Sequence, residues 1–290
     1  MKKSRKLATL GICSALFLGL AACQQQHATS EGASHRPSSP TKDPWKASYT
    51  NLNNQVSTEE VKSLLSAHLD PNSVDAFFNL VNDYNTIVGS NGLSGDFTSF
   101  THTEYDVEKI SHLWNQKKGD FVGTNCRINS YCLLKNSVTI PKLEKNDQLL
   151  FLDNDAIDKG KVFDSQDKEE FDILFSRVPT ESTTDVKVHA EKMEAFFSQF
   201  QFNEKARMLS VVLHDNLDGE YLFVGHVGVL VPADDGFLFV EKLTFEEPYQ
   251  AIKFASKEDC YKYLGTKYAD YTGEGLAKPF IMDNDKWVKL

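Results

Sequence analysis

The amino-acid sequence predicts an α+β fold, a helical N-terminal part packed on a C-terminal antiparallel sheet. Three observations carry this expectation. Up to about residue 205 apolar residues recur at helical spacing, and beyond it they gather into β-branched and aromatic runs cut by turn signals. One more helical segment then closes the chain. No internal repeat and no long linker divides residues 50 to 290, so a single α+β domain over 49–290 is expected.

The helical part opens with STEEVKSLLSAHL, in which Ser57 and Glu60 form a capping box and Val61, Leu64, Leu65 and Leu69 fall on one face. After the Asp70-Pro71 break, NSVDAFFNLVNDY repeats the pattern with Val74, Phe77, Phe78 and Val81 in phase. Further helices are expected around 105–116, 126–134, 167–177 and 186–200. The runs ARMLSVVLHD, EYLFVGHVGVLVP, FLFVEKLTF and YQAIKFA, split by NLDG and ADDG, read as strands of a meander. SKEDCYKYLG reads as a closing helix that starts on Ser256 and stops at Gly265.

Ahead of this domain stands MKKSRKLATLGICSALFLGLAAC, with a basic start, a short apolar run and small residues before Cys23. Residues 1–22 therefore read as a signal peptide. Leu20-Ala21-Ala22-Cys23 resembles the lipobox of bacterial lipoproteins, which implies cleavage before Cys23 and lipidation of that residue. Residues 23–48 then form the lipidated cysteine and a polar Ser/Pro/Gln-rich tether with a root-mean-square span of roughly 25 Å. Cleavage removes Lys2, Lys3, Arg5 and Lys6 and takes the formal charge from −10 to −14. Such acidity disfavours nucleic acid and anionic lipid, so a lipid anchor in the cell membrane, on its extracytoplasmic face, would rest on the acyl chains.

With Cys13 in the signal and Cys23 lipidated, the odd set Cys126, Cys132 and Cys260 argues against a disulfide scaffold. No spacing of cysteine and histidine matches a zinc finger or HExxH site, and no Gly-rich phosphate loop is present, so neither a metal nor another cofactor is expected. Asn125 is a good helix cap that places Cys126 at the first helical position, where the unpaired amides and the helix dipole favour thiolate. Cys132 and Cys260 read as buried apolar filler. Among the histidines, His27 and His35 fall in the tether, His102 in a loop, His68, His112 and His189 on helices, and His214 at a solvated strand end. His226 differs, because VGHVGVLV sets it inside a strand between Gly225 and Gly228, a pattern that fits a groove beside the imidazole or tight packing of the sheet.

A cysteine opening a helix in NCRINSYCLL, followed much later by GHVGVLV on the first strand of a meander, resembles the NlpC-type papain-like cysteine peptidases, which hydrolyse peptide bonds of cell-wall peptidoglycan. In place of that group's usual DCSG this chain has NCRI. The phrases YTNLN, NCRINSYCLL, GHVGVLV, FVEKLTFEEPYQAIKF and PFIMDN also make residues 49–290 similar to an uncharacterised family of Gram-positive surface lipoproteins. The first resemblance implies Cys126 as nucleophile, His226 as general base in a partly open groove, and a third polar group on the following strand, for which Glu241 is the candidate. The amide of Cys126 and the side chain of Asn125 would stabilise an oxyanion.

Glu241 depends on register. With a hairpin loop of even length it shares a face with His226; a four-residue loop, Pro232 to Asp235, sets the two opposite, whereas an Asp235-Gly236 turn moves Glu241 about four residues away. The bland alternative is a solvated strand charge beside Lys242. The sequence thus suggests a surface-anchored cysteine hydrolase, an amidase or peptidase, acting on peptidoglycan peptide or protein. The alternative is a catalytically inactive binding or interaction lipoprotein of the cell envelope.

Overall fold

The computed structural model describes residues 46–89, 91–100 and 104–290. The signal segment, Cys23, the tether to residue 45 and His102 lie outside the described residues. The described chain runs β1 (Ala47–Thr50), α1 (Gln55–Ser66), α2 (Pro71–Val88), β2 (Thr98–Ser99), α3 (Val107–Lys118), α4 (Cys126–Leu134) and β3 (Val138–Thr139). It continues through a 3-10 turn (Gln148–Leu150), α5 (Phe151–Gly160), α6 (Ser165–Leu174), β4 (Val178–Pro179), α7 (Val186–Phe197) and β5 (Gln201–Phe202). It ends with β6 (Arg207–Asp215), β7 (Tyr221–Ala233), β8 (Gly236–Lys242), β9 (Tyr249–Phe254), α8 (Lys257–Lys267), β10 (Phe280–Asp283) and β11 (Lys286–Val288).

The α+β expectation holds, with eight α-helices around a large antiparallel sheet among the described residues. Local signals set most helix starts. Asp70 accepts from the Ser73 amide with Pro71 in the first turn, Asn125 accepts from the Ile128 amide, and Ser256 accepts from the Asp259 amide. Helix α1 departs from expectation, because Asn54 rather than Ser57 caps it and Ser57 is the residue whose amide Asn54 receives. Helix α8 runs through Gly265 to Lys267. Helix α5 is an element that the sequence pattern missed; no side chain caps its start, so the usual N-terminal signal is lacking.

The main sheet has the order β11-β10-β6-β7-β8-β9-β1-β2, with β4 beside β7. Ala47 and Ser48, assigned to the tether from sequence, instead pair with Phe254 and Lys253 of β9. His226 lies on the second strand of the β6–β9 meander, not the first. One core holds the side chains of α1 to α7 against one sheet face, and a second packs Cys260, Tyr261, Tyr263 and Leu264 of α8 against the other. The helices therefore flank the sheet rather than all lying in front of it. Strand β7, covered on both sides, is an almost unbroken apolar run for that reason.

Two irregularities of β7 shape the interior. Its pairing with β6 slips between Val211 and Val212, since Val211 faces His226 while Val212 faces Val224, which makes Gly225 the extra residue of a bulge. Val224 joins the α4-side core, whereas His226 faces Val211 of the α8-side core, so the bulge turns His226 away from the face that Leu222 and Val224 share. The second irregularity is a split. The β7–β8 ladder runs from Ala233–Gly236 to Val229–Val240, and β4 pairs β7 at Leu222 and Tyr221. Between these stretches α4 supplies partners, with Arg127 Nη1 donating to the Val224 carbonyl (2.9 Å) and Ser130 Oγ to that of Val227 (3.2 Å). Buried carbonyls need hydrogen-bond partners, and here helix side chains replace a strand.

Candidate active site

Helix α4 brings its first residue into that split. Asn125 caps it through Oδ1, which accepts from the Ile128 amide at 3.1 Å, and its Nδ2 donates to Asp153 Oδ1 at 2.7 Å. Arg127 grips the same carboxylate with Nε at 2.9 Å and Nη2 at 2.7 Å. Asp153 of α5 thus ties the residues on both sides of Cys126. The side chain of Asn125, proposed from sequence as an oxyanion donor, is committed to cap and carboxylate, which leaves any oxyanion role to backbone amides at the helix start.

The Cys126 thiol reaches hydrogen-bonding range of the His226 ring. It comes from the α4-side core while His226 belongs to the α8 side, so they meet through the gap between β7 and β8. On its other side His226 Nε2 lies 2.6 Å from Glu241 Oε2. The carboxylate is ionised and can only accept, so Nε2 carries the proton and Nδ1 is left for the thiol.

Neither hairpin weighed from the sequence is the one formed. Ala233 pairs with Gly236 around a two-residue Asp234-Asp235 turn, a register that sets Glu241 level with Gly228. The even loop keeps Glu241 on the face of His226, and the two join diagonally. Gly225 and Gly228 do not frame a groove. A Cβ on Gly225 would lie 2.3 Å from Leu213 Cδ1, and one on Gly228 would lie 2.3 Å from Phe239 Cζ. The glycines admit close packing, and the expected partly open groove is closed, with Cys126 at 0%, His226 at 1% and Glu241 at 1% exposure. Tyr268 stacks on the His226 ring at 4.8 Å.

Electrostatics follows from these contacts. Burial disfavours the charged form of His226, but the adjacent Cys126 and Glu241 outweigh it and raise its pKa. Burial likewise opposes a charged Glu241, yet Lys267, His226 and Tyr263 together hold its pKa down to about 2. Burial lowers Lys242 to about 7, with Glu246, Glu247 and Cys126 acting in the opposite sense. Glu241 is therefore not a solvated strand charge, and its neighbour Lys242 is also 1% exposed, lies 4.1 Å from the Tyr84 ring centroid, and donates to the carbonyls of Thr244, Phe245 and Glu247.

The remaining sulfurs are filler, since Cys132 and Cys260 are buried and burial raises both thiols, Cys132 to about 12. His214 is not solvated. It is buried, pairs with Glu220 and packs on His189 at 4.4 Å. The structure brings together Cys126, His226 and Glu241, the three residues singled out from the sequence, and adds beside them Asp153, unread because α5 went unseen, and Tyr263, Lys267 and Tyr268. Of these, Tyr263 and Lys267 carried a signal in their four-residue spacing on α8.

A helix-start cysteine joined to a strand histidine and a buried carboxylate is an arrangement suited to thiol chemistry. The profile of a domain of unknown function, DUF4300, matches residues 48–288, and the chain belongs to that family. Neither curated proteins nor solved structures yield a match. Among the described residues no helix is long and apolar enough to cross a membrane, and no cluster of three or more His, Cys, Asp or Glu side chains forms a metal site.

Proposed function

We propose that the protein is a cysteine hydrolase of papain-like, NlpC-type arrangement that cleaves amide bonds of peptides, with cell-wall peptide as the leading substrate class. The reading rests on the continuous set of Cys126, His226 and Glu241. In it, the Cys126 thiolate attacks the amide carbonyl carbon, and amides at the α4 N-terminus stabilise the oxyanion. Imidazolium His226 gives its proton to the leaving amine as the C–N bond breaks, leaving a thioester. His226 then takes a proton from water, whose oxygen displaces Cys126 and releases a carboxylic acid. Because the site is closed, substrate admission requires local opening, a motion common in lidded sites. The test is incubation with purified peptidoglycan fragments and detection of new amino termini by mass spectrometry. Cleavage by wild type and its loss in C126A supports the reading; equal cleavage by both contradicts it.

A second reading, a catalytically inactive binding lipoprotein of the cell envelope, is favoured by the complete burial of all three side chains. Under it the fragments are bound without being cut, and C126A binds as wild type does. In both readings Cys23 carries the lipid that holds the protein outside the cytoplasmic membrane. Labelled palmitate should enter the wild type and not C23A, and equal labelling would refute the anchor.

A further inference from the structure

Glu241 has two oxygens with different partners, and the second leads outward. Oε2 takes the His226 proton, while Oε1 accepts from the Tyr263 hydroxyl and lies 3.5 Å from Lys267 Nζ. Lys267 Nζ also donates to the Tyr263 oxygen at 2.8 Å. An ammonium only donates, so the Tyr263 oxygen accepts from Lys267 and its proton points to Glu241. The chain Lys267→Tyr263→Glu241←His226 therefore converges on the Glu241 carboxylate, which accepts from both sides. It starts at a side chain 29% exposed and ends on a histidine side chain 2% exposed.

We infer that Tyr263 is a positioning residue for His226, fixing the Glu241 carboxylate so that the opposite oxygen stays on Nε2, and that Lys267 sets the direction of the Tyr263 proton. The inference rests on the hydrolase reading above. The geometry of α8 supports it, since residues four apart on a helix share a face and these two flank one carboxylate. The next residue, Tyr268, stacks on the imidazole itself, so the last turn of α8 supports both members of the pair. A fixed carboxylate stabilises imidazolium, and imidazolium stabilises the thiolate of Cys126. The other titratable groups sensing Glu241 are Tyr105 and Cys260, whose ionisation it disfavours.

The test measures the pH dependence of Cys126 alkylation by iodoacetamide, using mass spectrometry on the full mature chain, for wild type, Y263F and E241Q. Y263F is expected to move the midpoint to higher pH and slow alkylation at pH 7 by roughly threefold or more, half a pKa unit, and by less than E241Q does. A shift in E241Q with none in Y263F overturns the role of Tyr263 and leaves the hydrolase reading standing. No shift in either variant overturns both. If Y263F does not fold, proton NMR of the wild type decides: a slowly exchanging, downfield Tyr263 hydroxyl proton supports the inference, and a hydroxyl in fast exchange with water contradicts it.

Discussion

His226 Nε2 and Glu241 Oε2 lie 2.6 Å apart although the β7–β8 ladder has already ended at Val229 and Val240. Their contact is a side-chain bridge at the mouth of a split sheet. Glu241 is held ionised inside the protein, so its depressed pKa is also a statement about stability. A depressed carboxylate contributes stability present above its ordinary value of 4.5 and lost as pH falls through about 2. Urea unfolding of the wild type between pH 5 and 2 should show that loss, and E241Q should show a flatter dependence. Parallel curves would mean Glu241 is not held as described.

Asp153 is 1% exposed and receives Asn125 and both forks of Arg127. Removing it deprives a buried guanidinium of its carboxylate partner, which typically costs about 3–5 kcal/mol. D153A should lower the denaturant midpoint by a corresponding amount, without changing the slope. A loss under about 1 kcal/mol would show that the bridge does not hold α4 in place.

Gly228 faces Phe239 and the Val240 carbonyl oxygen, which a Cβ would approach to 2.3 and 2.8 Å. The first contact is with Cζ of the buried Phe239 ring, which lies on the ring's rotation axis, and the second is with backbone, so neither yields readily. G228A should therefore destabilise by about 1–3 kcal/mol or more, as overpacking does. A neutral G228A by thermal unfolding would indicate a groove at this position after all.

How much of this was legible in the sequence follows from the range of each signal. Asn125 and Asp70 announced their helices because capping is a contact over three residues. The face shared by His226 and Glu241 was legible because an even loop preserves alternation, whatever its length. The bulge at Gly225 and the split beside Val224 were not, since both depend on β6, α4 and β4 meeting one strand. The glycines around His226 suggested space, but Leu213 and Phe239 come from neighbouring strands to fill it. Arg127 looked like a departure from a motif, and only α5, uncapped and so unread, explains it.

The central claim is that Cys126 is activated by His226 and Glu241, and its most direct test is thiol alkylation against pH in wild type, H226A and E241Q. Cys132 and Cys260 are internal controls, since all three sulfurs are buried to a similar degree. Cys126 should react far faster than either near neutral pH, E241Q should slow it by about tenfold or more, and H226A should slow it further. Superimposable pH profiles for the three proteins, with Cys126 as inert as Cys132 and Cys260, would contradict the account.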